Sequence, residues 1–256
     1  MAARAGSRPP LTVSVYHATV RPVPSPIPWP SLRLLVFDLD GTLIDSQHDL
    51  AASLNATLQG IGRPALPLEQ VAGFVGDGAP ALVARALAAT GGTPEAHLQT
   101  DTLATFLRHY EAHKLDRTVL FPGVAEALQG LAARCRLAVL TNKPVAISRA
   151  ILAGLGIETT FAAIYGGNSF STRKPDPLGL QRLLEEAPAA PGEALMVGDT
   201  WVDIATGKNA GTWTCGVSYG FGAQRLTAAG IKNRPRSARP DVLFDDLRQL
   251  AELVNG

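Results

Sequence analysis

An apolar run of four residues, Leu34 to Phe37, ends abruptly in Asp38-Leu39-Asp40-Gly41-Thr42. A short apolar run closed by glycine and polar groups reads as a strand buried on both faces of a parallel sheet. In open α/β sheets, ligands bind just beyond the carboxyl ends of such strands. Asp38 and Asp40 are therefore expected at the mouth of a crevice. Two carboxylates this close repel each other unless a cation or a shared proton relieves them.

The second half of the chain repeats this pattern. From Phe121 onward, helix-like segments (Val124, Leu128 and Leu131; Ile147, Ile151, Leu152 and Leu155) alternate with strand-like ones. The strands expected there are Arg136 to Lys143, Phe161 to Tyr165, Ala194 to Val197, Trp213 to Val217 and Asp241 to Phe244. Alternation of this kind predicts an α/β fold, a doubly wound parallel sheet with helices on both faces.

Between the first strand and this region the pattern is helical, and no strand is evident before about Leu120. Ser46-Gln47-His48-Asp49 reads as a capping box with Asp49 in place of the usual Glu, opening a helix that carries Leu50, Leu54 and Leu58. Leu82, Val83, Ala86 and Leu87 form a second stripe, and Leu103, Phe106, Leu107 and Tyr110 a third. An all-helical insert after a first strand reads as a lid, so residues 46–120 are expected as a cap, with 31–45 and 121–256 as the catalytic core. Within the cap, Gly76, Asp77 and Gly78 sit in a bend that suits a substrate-reading loop, and Arg85 with Asp77 is a candidate for a substrate carboxylate. His109 and His113 read as solvated surface residues rather than metal ligands.

Residues 1–30 contain no acid and are rich in Pro, the pattern of a disordered extension or of a start placed too far upstream. No compact apolar segment follows the early arginines, so a secretory signal is a poor fit. The expected location is the cytoplasm, with organelle targeting by this tail left open. A formal net charge of +1 gives no reason to expect nucleic acid as a partner, and no uninterrupted apolar run is long enough for a membrane span. Two cysteines, Cys135 and Cys215, lie in or beside apolar runs and read as buried thiols. Neither a phosphate-binding Gly-x-x-x-x-Gly-Lys loop, nor a dinucleotide fingerprint, nor a Gly-x-Ser-x-Gly elbow is present.

The polar residues at expected strand ends are Asp38 and Asp40, Thr141 and Asn142, Lys174, and Asp199 with Asp203. Carboxylates from separate strands converging on one crevice suit a hard divalent cation. A hydroxyl, an amide and an ammonium suit the oxygens of a phosphoryl group, and a carboxylate nucleophile beside a carboxylic acid suits an aspartyl-phosphate route.

With these residues in order, the chain resembles the haloacid dehalogenase-like hydrolase superfamily over about Leu34 to Val254. Asp38-Leu39-Asp40-Gly41-Thr42, Leu140-Thr141-Asn142, Lys174-Pro175 and Gly198-Asp199-Thr200 through Asp203 are similar to its four motifs, and the helical insert to its four-helix cap. Val75-Gly76-Asp77-Gly78, Phe121-Pro122-Gly123-Val124, Lys174-Pro175-Asp176-Pro177 and Ser218-Tyr219-Gly220-Phe221 most resemble phosphoglycolate phosphatases. The resemblance implies a Rossmann-like core and a Mg²⁺-dependent phosphatase acting on a small phosphorylated substrate, as a monomer or homodimer. It implies Asp38 as nucleophile and Asp40 as acid and base. Mg²⁺ would be held by Asp38, the Asp40 carbonyl and Asp199, with Asp203 binding it or fixing its shell. Thr141 and the Asn142 backbone would cradle phosphate oxygens, and Lys174, counted with the two aspartates as catalytic, would neutralise both phosphate and the crowded carboxylates. A dehalogenase has no use for a general acid at Asp40. A β-phosphoglucomutase-like phosphotransferase or a sugar-phosphate phosphatase keeps the same motifs and stands as the alternative, ahead of a catalytically silent binding module.

Overall fold

The computed structural model describes residues 27–93, 95–222, 226 and 239–256. The core is a six-stranded sheet of β1 (Leu34–Phe37), β4 (Arg136–Leu140), β5 (Ala163–Tyr165), β6 (Ala194–Gly198), β7 (Trp213–Val217) and β8 (Val242–Phe244), ordered β5-β4-β1-β6-β7-β8. Every adjacent pair is parallel, and β1 lies between β4 and β6, with Leu34 opposite both Arg136 and Ala194.

Strand alternation splits the core into two layers. Leu35, Phe37, Leu137, Val139, Leu195 and Val197 face one side. There they pack with α5 (Val124–Ala132), α6 (Val145–Gly154) and α9 (Leu247–Asn255). Leu34, Val36, Ala138, Leu140 and Met196 face the other side, against Leu180, Leu183 and Leu184 of α7 (Leu178–Glu186). Helix α8 (Trp201–Ala210) lies on that second face, where a Cβ on Gly207 would come within 3.0 Å of the Met196 Cβ. The doubly wound expectation holds, and both cysteines are buried and free.

Four helices, α1 (Gln47–Gly60), α2 (Leu68–Ala72), α3 (Ala79–Gly91) and α4 (Ala96–His113), form the insert between β1 and α5. Their apolar stripes meet in one interior, where the Phe106 and Tyr110 rings stack with centroids 5.8 Å apart. The insert is not wholly helical at its ends. The chain leaves and re-enters the core through a two-stranded antiparallel ribbon, β2 (Ile44–Asp45) and β3 (Val119–Leu120). Asp49 does not cap α1. Its buried Oδ2 accepts from the backbone N–H groups of Arg117 and Thr118 and from Thr118 Oγ1, fastening the first turn of the insert to its exit strand. His109 is half-buried, with Nδ1 3.1 Å from Ser53 Oγ, so of this pair only His113 is a solvated surface residue.

Of the expected disordered extension, residues 1–26 lie outside the described residues. Residues 27–30 are not a tail. Ile27 is 3% exposed in the main core cluster, and the Trp29 ring lies 6.1 Å from that of Phe244. Apolar groups this close to the first strand gain more by covering α9 and β8 than by solvation. Truncating a buried aliphatic side chain costs roughly 2–5 kcal/mol. Ile27→Ala should therefore lower the thermal midpoint by several degrees, whereas an unchanged melt would place Ile27 outside the cooperative core.

Candidate active site

The crevice lies where the topology predicts, at the carboxyl ends of β1, β4 and β6. The chain turns sharply after β1, with the N–H groups of Thr42, Leu43 and Ile44 all bonded to the Leu39 carbonyl. Gly41 makes this possible. Its φ is +82°, and a Cβ there would lie 2.3 Å from an Asp199 carboxylate oxygen. The turn sends the two aspartates to different partners.

Asp38 belongs to a buried network on the sheet side. Its Oδ1 accepts from Leu39 N at 2.7 Å and pairs with Lys174 Nζ at 2.9 Å. Lys174 Nζ also donates to Asp203 Oδ1 at 2.6 Å. Asp203 Oδ2 accepts from both the N–H and the hydroxyl of Thr200, a capping box that starts α8. Asp199 accepts from Gly222 N at 2.8 Å and from Thr42 Oγ1 at 3.3 Å. Asp38, Asp199 and Asp203 each offer a carboxylate oxygen within 4.8 Å of the others.

Asp40 turns toward the insert. Lys143 Nζ donates to both its carboxylate oxygens at 2.9 Å, and Ser46 Oγ donates to Oδ1. The Lys143 ammonium lies 4.5 Å from the centre of the Tyr110 ring of α4. Thr141 and Asn142 are buried at the end of β4. The Asn142 amide donates to the carbonyls of Gly76 and Lys174, both at 3.0 Å, so it ties the insert to the core.

Burial dominates the electrostatics. It pushes the Asp38 carboxyl up to about 7 despite Lys174, and the fully buried Asp199 well above the carboxylate range, with Asp203 and Asp38 adding to the rise. Burial works against the charge on Lys174, but Asp203 and Asp38 outweigh it and hold the ammonium above the usual lysine range. Four carboxylates (Asp38, Asp40, Asp199, Asp203) face two ammonium groups (Lys143, Lys174). Full ionisation would leave two uncompensated negative charges, so the donor set fits a divalent cation bound through oxygen.

Between sheet and insert lies a partly open cavity. Asp38, Asp40, Thr141, Asn142 and Lys143 form its polar end, and Gly76 and Gly78 of the insert also line it. Asp77 and Arg85 do not line it. They pair with each other, and Arg85 also donates to the Phe74 carbonyl, closing their own loop. They were expected to meet a substrate carboxylate; in this structure they meet each other. Sequence reasoning also missed Ser46, Lys143 and Tyr110. Lys143 was accessible as the residue directly after Thr141-Asn142, but the pairing of Tyr110 with it depends on how α4 packs.

The haloacid dehalogenase-like hydrolase family model matches residues 35–217. A phosphoglycolate phosphatase of Cereibacter sphaeroides is 43% identical over 182 residues, covering 69% of this chain and 81% of the relative. One of Vibrio cholerae is 37% identical over 230 residues, covering 88% and 97%. A crystal structure of a predicted phosphoglycolate phosphatase from Haemophilus somnus superposes with a TM-score of 0.78 at 30% identity, over 87% of this chain and 98% of that one. The chain thus belongs to the haloacid dehalogenase-like hydrolase family, in its phosphatase branch.

Proposed function

We propose that the protein hydrolyses a small phosphomonoester, 2-phosphoglycolate, through an aspartyl-phosphate on Asp38 with a bound Mg²⁺. The observation that carries this reading is the division between the two aspartates, with Asp38 held by Lys174 among metal-suited carboxylates and Asp40 held apart by Ser46 and Lys143. The names of the relatives supply the substrate.

A carboxylate oxygen of Asp38 attacks phosphorus while the bond to the ester oxygen breaks. The Asp40 carboxyl gives its proton to the departing alkoxide. Water then attacks the phospho-aspartate, its proton passes to Asp40, and the Asp38–phosphorus bond breaks to release phosphate. Thr141 and the Asn142 backbone hold phosphoryl oxygens, and Lys174 offsets charge beneath them. Asp38, the Asp40 carbonyl and Asp199 would hold Mg²⁺, which supplies charge neutralisation at the phosphoryl oxygens when bound. Both Asp203 oxygens are already engaged by Lys174 and Thr200, which favours a supporting role over direct ligation. Apolar cap residues such as Leu82 and Phe106 would keep stray water from the intermediate.

Metal binding has a readout independent of turnover. The raised Asp38 and Asp199 carboxyls retain protons in the folded protein that the unfolded chain releases near pH 4. Their contribution to metal-free stability is therefore present at low pH and is lost as pH rises, for Asp38 through about 7. Mg²⁺ competes with those protons, so its stabilising shift in a thermal melt should be larger at pH 8 than at pH 5.5. No Mg²⁺ shift at either pH would count against the metal site.

The two aspartates should separate kinetically. Asp38→Asn removes the nucleophile and should abolish turnover. Asp40→Asn removes proton transfer, worth typically 10²–10⁴-fold. With p-nitrophenyl phosphate, whose leaving group needs little protonation, the Asp40 variant should give a burst of nitrophenolate and then a slow steady state. A burst from Asp38→Asn, or identical behaviour of the two variants on aryl and alkyl esters, would overturn the assignment.

A further inference from the structure

Beyond its polar end the cavity is mostly apolar, walled by Leu50, Val75, Leu82, Phe106, Leu107 and Ile147. Among the described residues lining it, Lys143 is the one cationic side chain, whereas Lys174 does not line it. The Lys143 side chain is only 4% exposed and bridges two layers, holding Asp40 of the core while its ammonium lies over the Tyr110 ring of the cap. The Tyr110 hydroxyl is buried near the Lys143 ammonium and makes no hydrogen bond of ordinary geometry among the described residues. Burial pushes this phenol up to about 12, so it keeps its proton and remains a donor. A buried hydroxyl without a partner is destabilising, and a ligand that brings an acceptor relieves it.

These groups form a sequence across the site. Asp38 marks the position of phosphorus, and Asp40 that of the ester oxygen. Lys174 holds Asp38, whereas Lys143, with Tyr110 beside it, holds Asp40. We infer that Lys143 and Tyr110 form the subsite for a second anionic group on the substrate, a carboxylate carried on the carbon that bears the ester oxygen. The inference rests on the phosphomonoesterase reading above and assigns its selectivity to particular side chains. A carboxylate there accepts from the ammonium and the phenol together, in a cavity whose other walls are too apolar to hold a charge. An alkyl phosphate with no charge on its alkyl group leaves both donors without that acceptor, and sites built on buried donors reject such analogues strongly.

The test compares 2-phosphoglycolate with ethyl phosphate, which lacks the carboxylate, in the full chain with Mg²⁺. The wild type should prefer 2-phosphoglycolate. Lys143→Gln should lower the ratio of the two kcat/KM values by roughly 10- to 100-fold, chiefly through KM for 2-phosphoglycolate. Lys143→Arg should recover part of the ratio. Tyr110→Phe, which removes only an unpartnered hydroxyl, should lower it by about 3- to 10-fold, and it carries the test if Lys143→Gln fails to fold. Equal losses of kcat on both esters with an unchanged ratio would reduce Lys143 to a positioning residue for Asp40. That result overturns the inference and leaves the phosphatase reading standing. A wild type that hydrolyses both esters equally well also overturns it. If the wild type hydrolyses neither ester, the proposed function fails, and a thermal shift with each ester still decides the subsite. A larger shift from 2-phosphoglycolate that is lost in Lys143→Gln supports it, and equal shifts refute it.

Discussion

The structure depends on keeping several carboxylates out of water. Asp38, Asp199 and Asp203 are buried within reach of one another, an arrangement that unscreened repulsion would not tolerate. Lys174 is the internal answer. It is 4% exposed, and its ammonium spans Asp38 and Asp203. It cannot balance Asp199 as well, and the remaining charge must be met by protons or by a cation. The placement of β1 between β4 and β6 follows the same logic, because only a central strand can bring Asp38 near groups from both of its neighbours. Small residues complete the fit. A Cβ on Gly198 would lie 2.2 Å from the Asp203 carboxyl carbon, so the end of β6 can pass that side chain only without one.

Asp38 and Asp40 are two residues apart, and on a straight strand they would share one face and one environment. The turn after β1 breaks that equivalence. Asp38 meets Lys174 inside the sheet layer, and Asp40 meets Ser46 at the entrance to the cap and Lys143 at the end of β4. Two chemically identical groups thereby gain different counter-charges, which is how one fold gives like groups different properties.

Buried parallel strands are continuous apolar runs with polar stops, so all six core strands and the carboxylates at their ends were legible in the sequence. What could not be read depends on contacts distant along the chain. The ribbon of Ile44–Asp45 with Val119–Leu120 is too short to show periodicity. Asp49 has the spacing of a capping box, but Arg117 and Thr118 return beside it and offer more donors than the local N-terminus does. Asp77 and Arg85 satisfy each other, which no spacing argument separates from meeting a ligand. Ile27 and Trp29 sit in a Pro-rich composition, yet two apolar side chains suffice to bring that stretch onto the core.

The cap is joined to the core by contacts of unequal strength. Where the insert leaves and re-enters the core, Asp49 takes three hydrogen bonds on one buried carboxylate oxygen beside the β2–β3 ribbon, and bonds to a charged group are individually worth about 1.5–3 kcal/mol. Over the site, two polar contacts of the cap are weaker in kind. The Asn142 amide bond to the Gly76 carbonyl is worth about 1 kcal/mol, and the Lys143 ammonium over Tyr110 about 0.5–2 kcal/mol. The stronger tie is beside the ribbon, and these weaker ties are at the cavity. Both weak ties also end on Asn142 and Lys143, residues that line the cavity. A ligand that engaged either residue would meet the same contacts that join the insert to the core, because both contacts end on two adjacent residues beyond one strand.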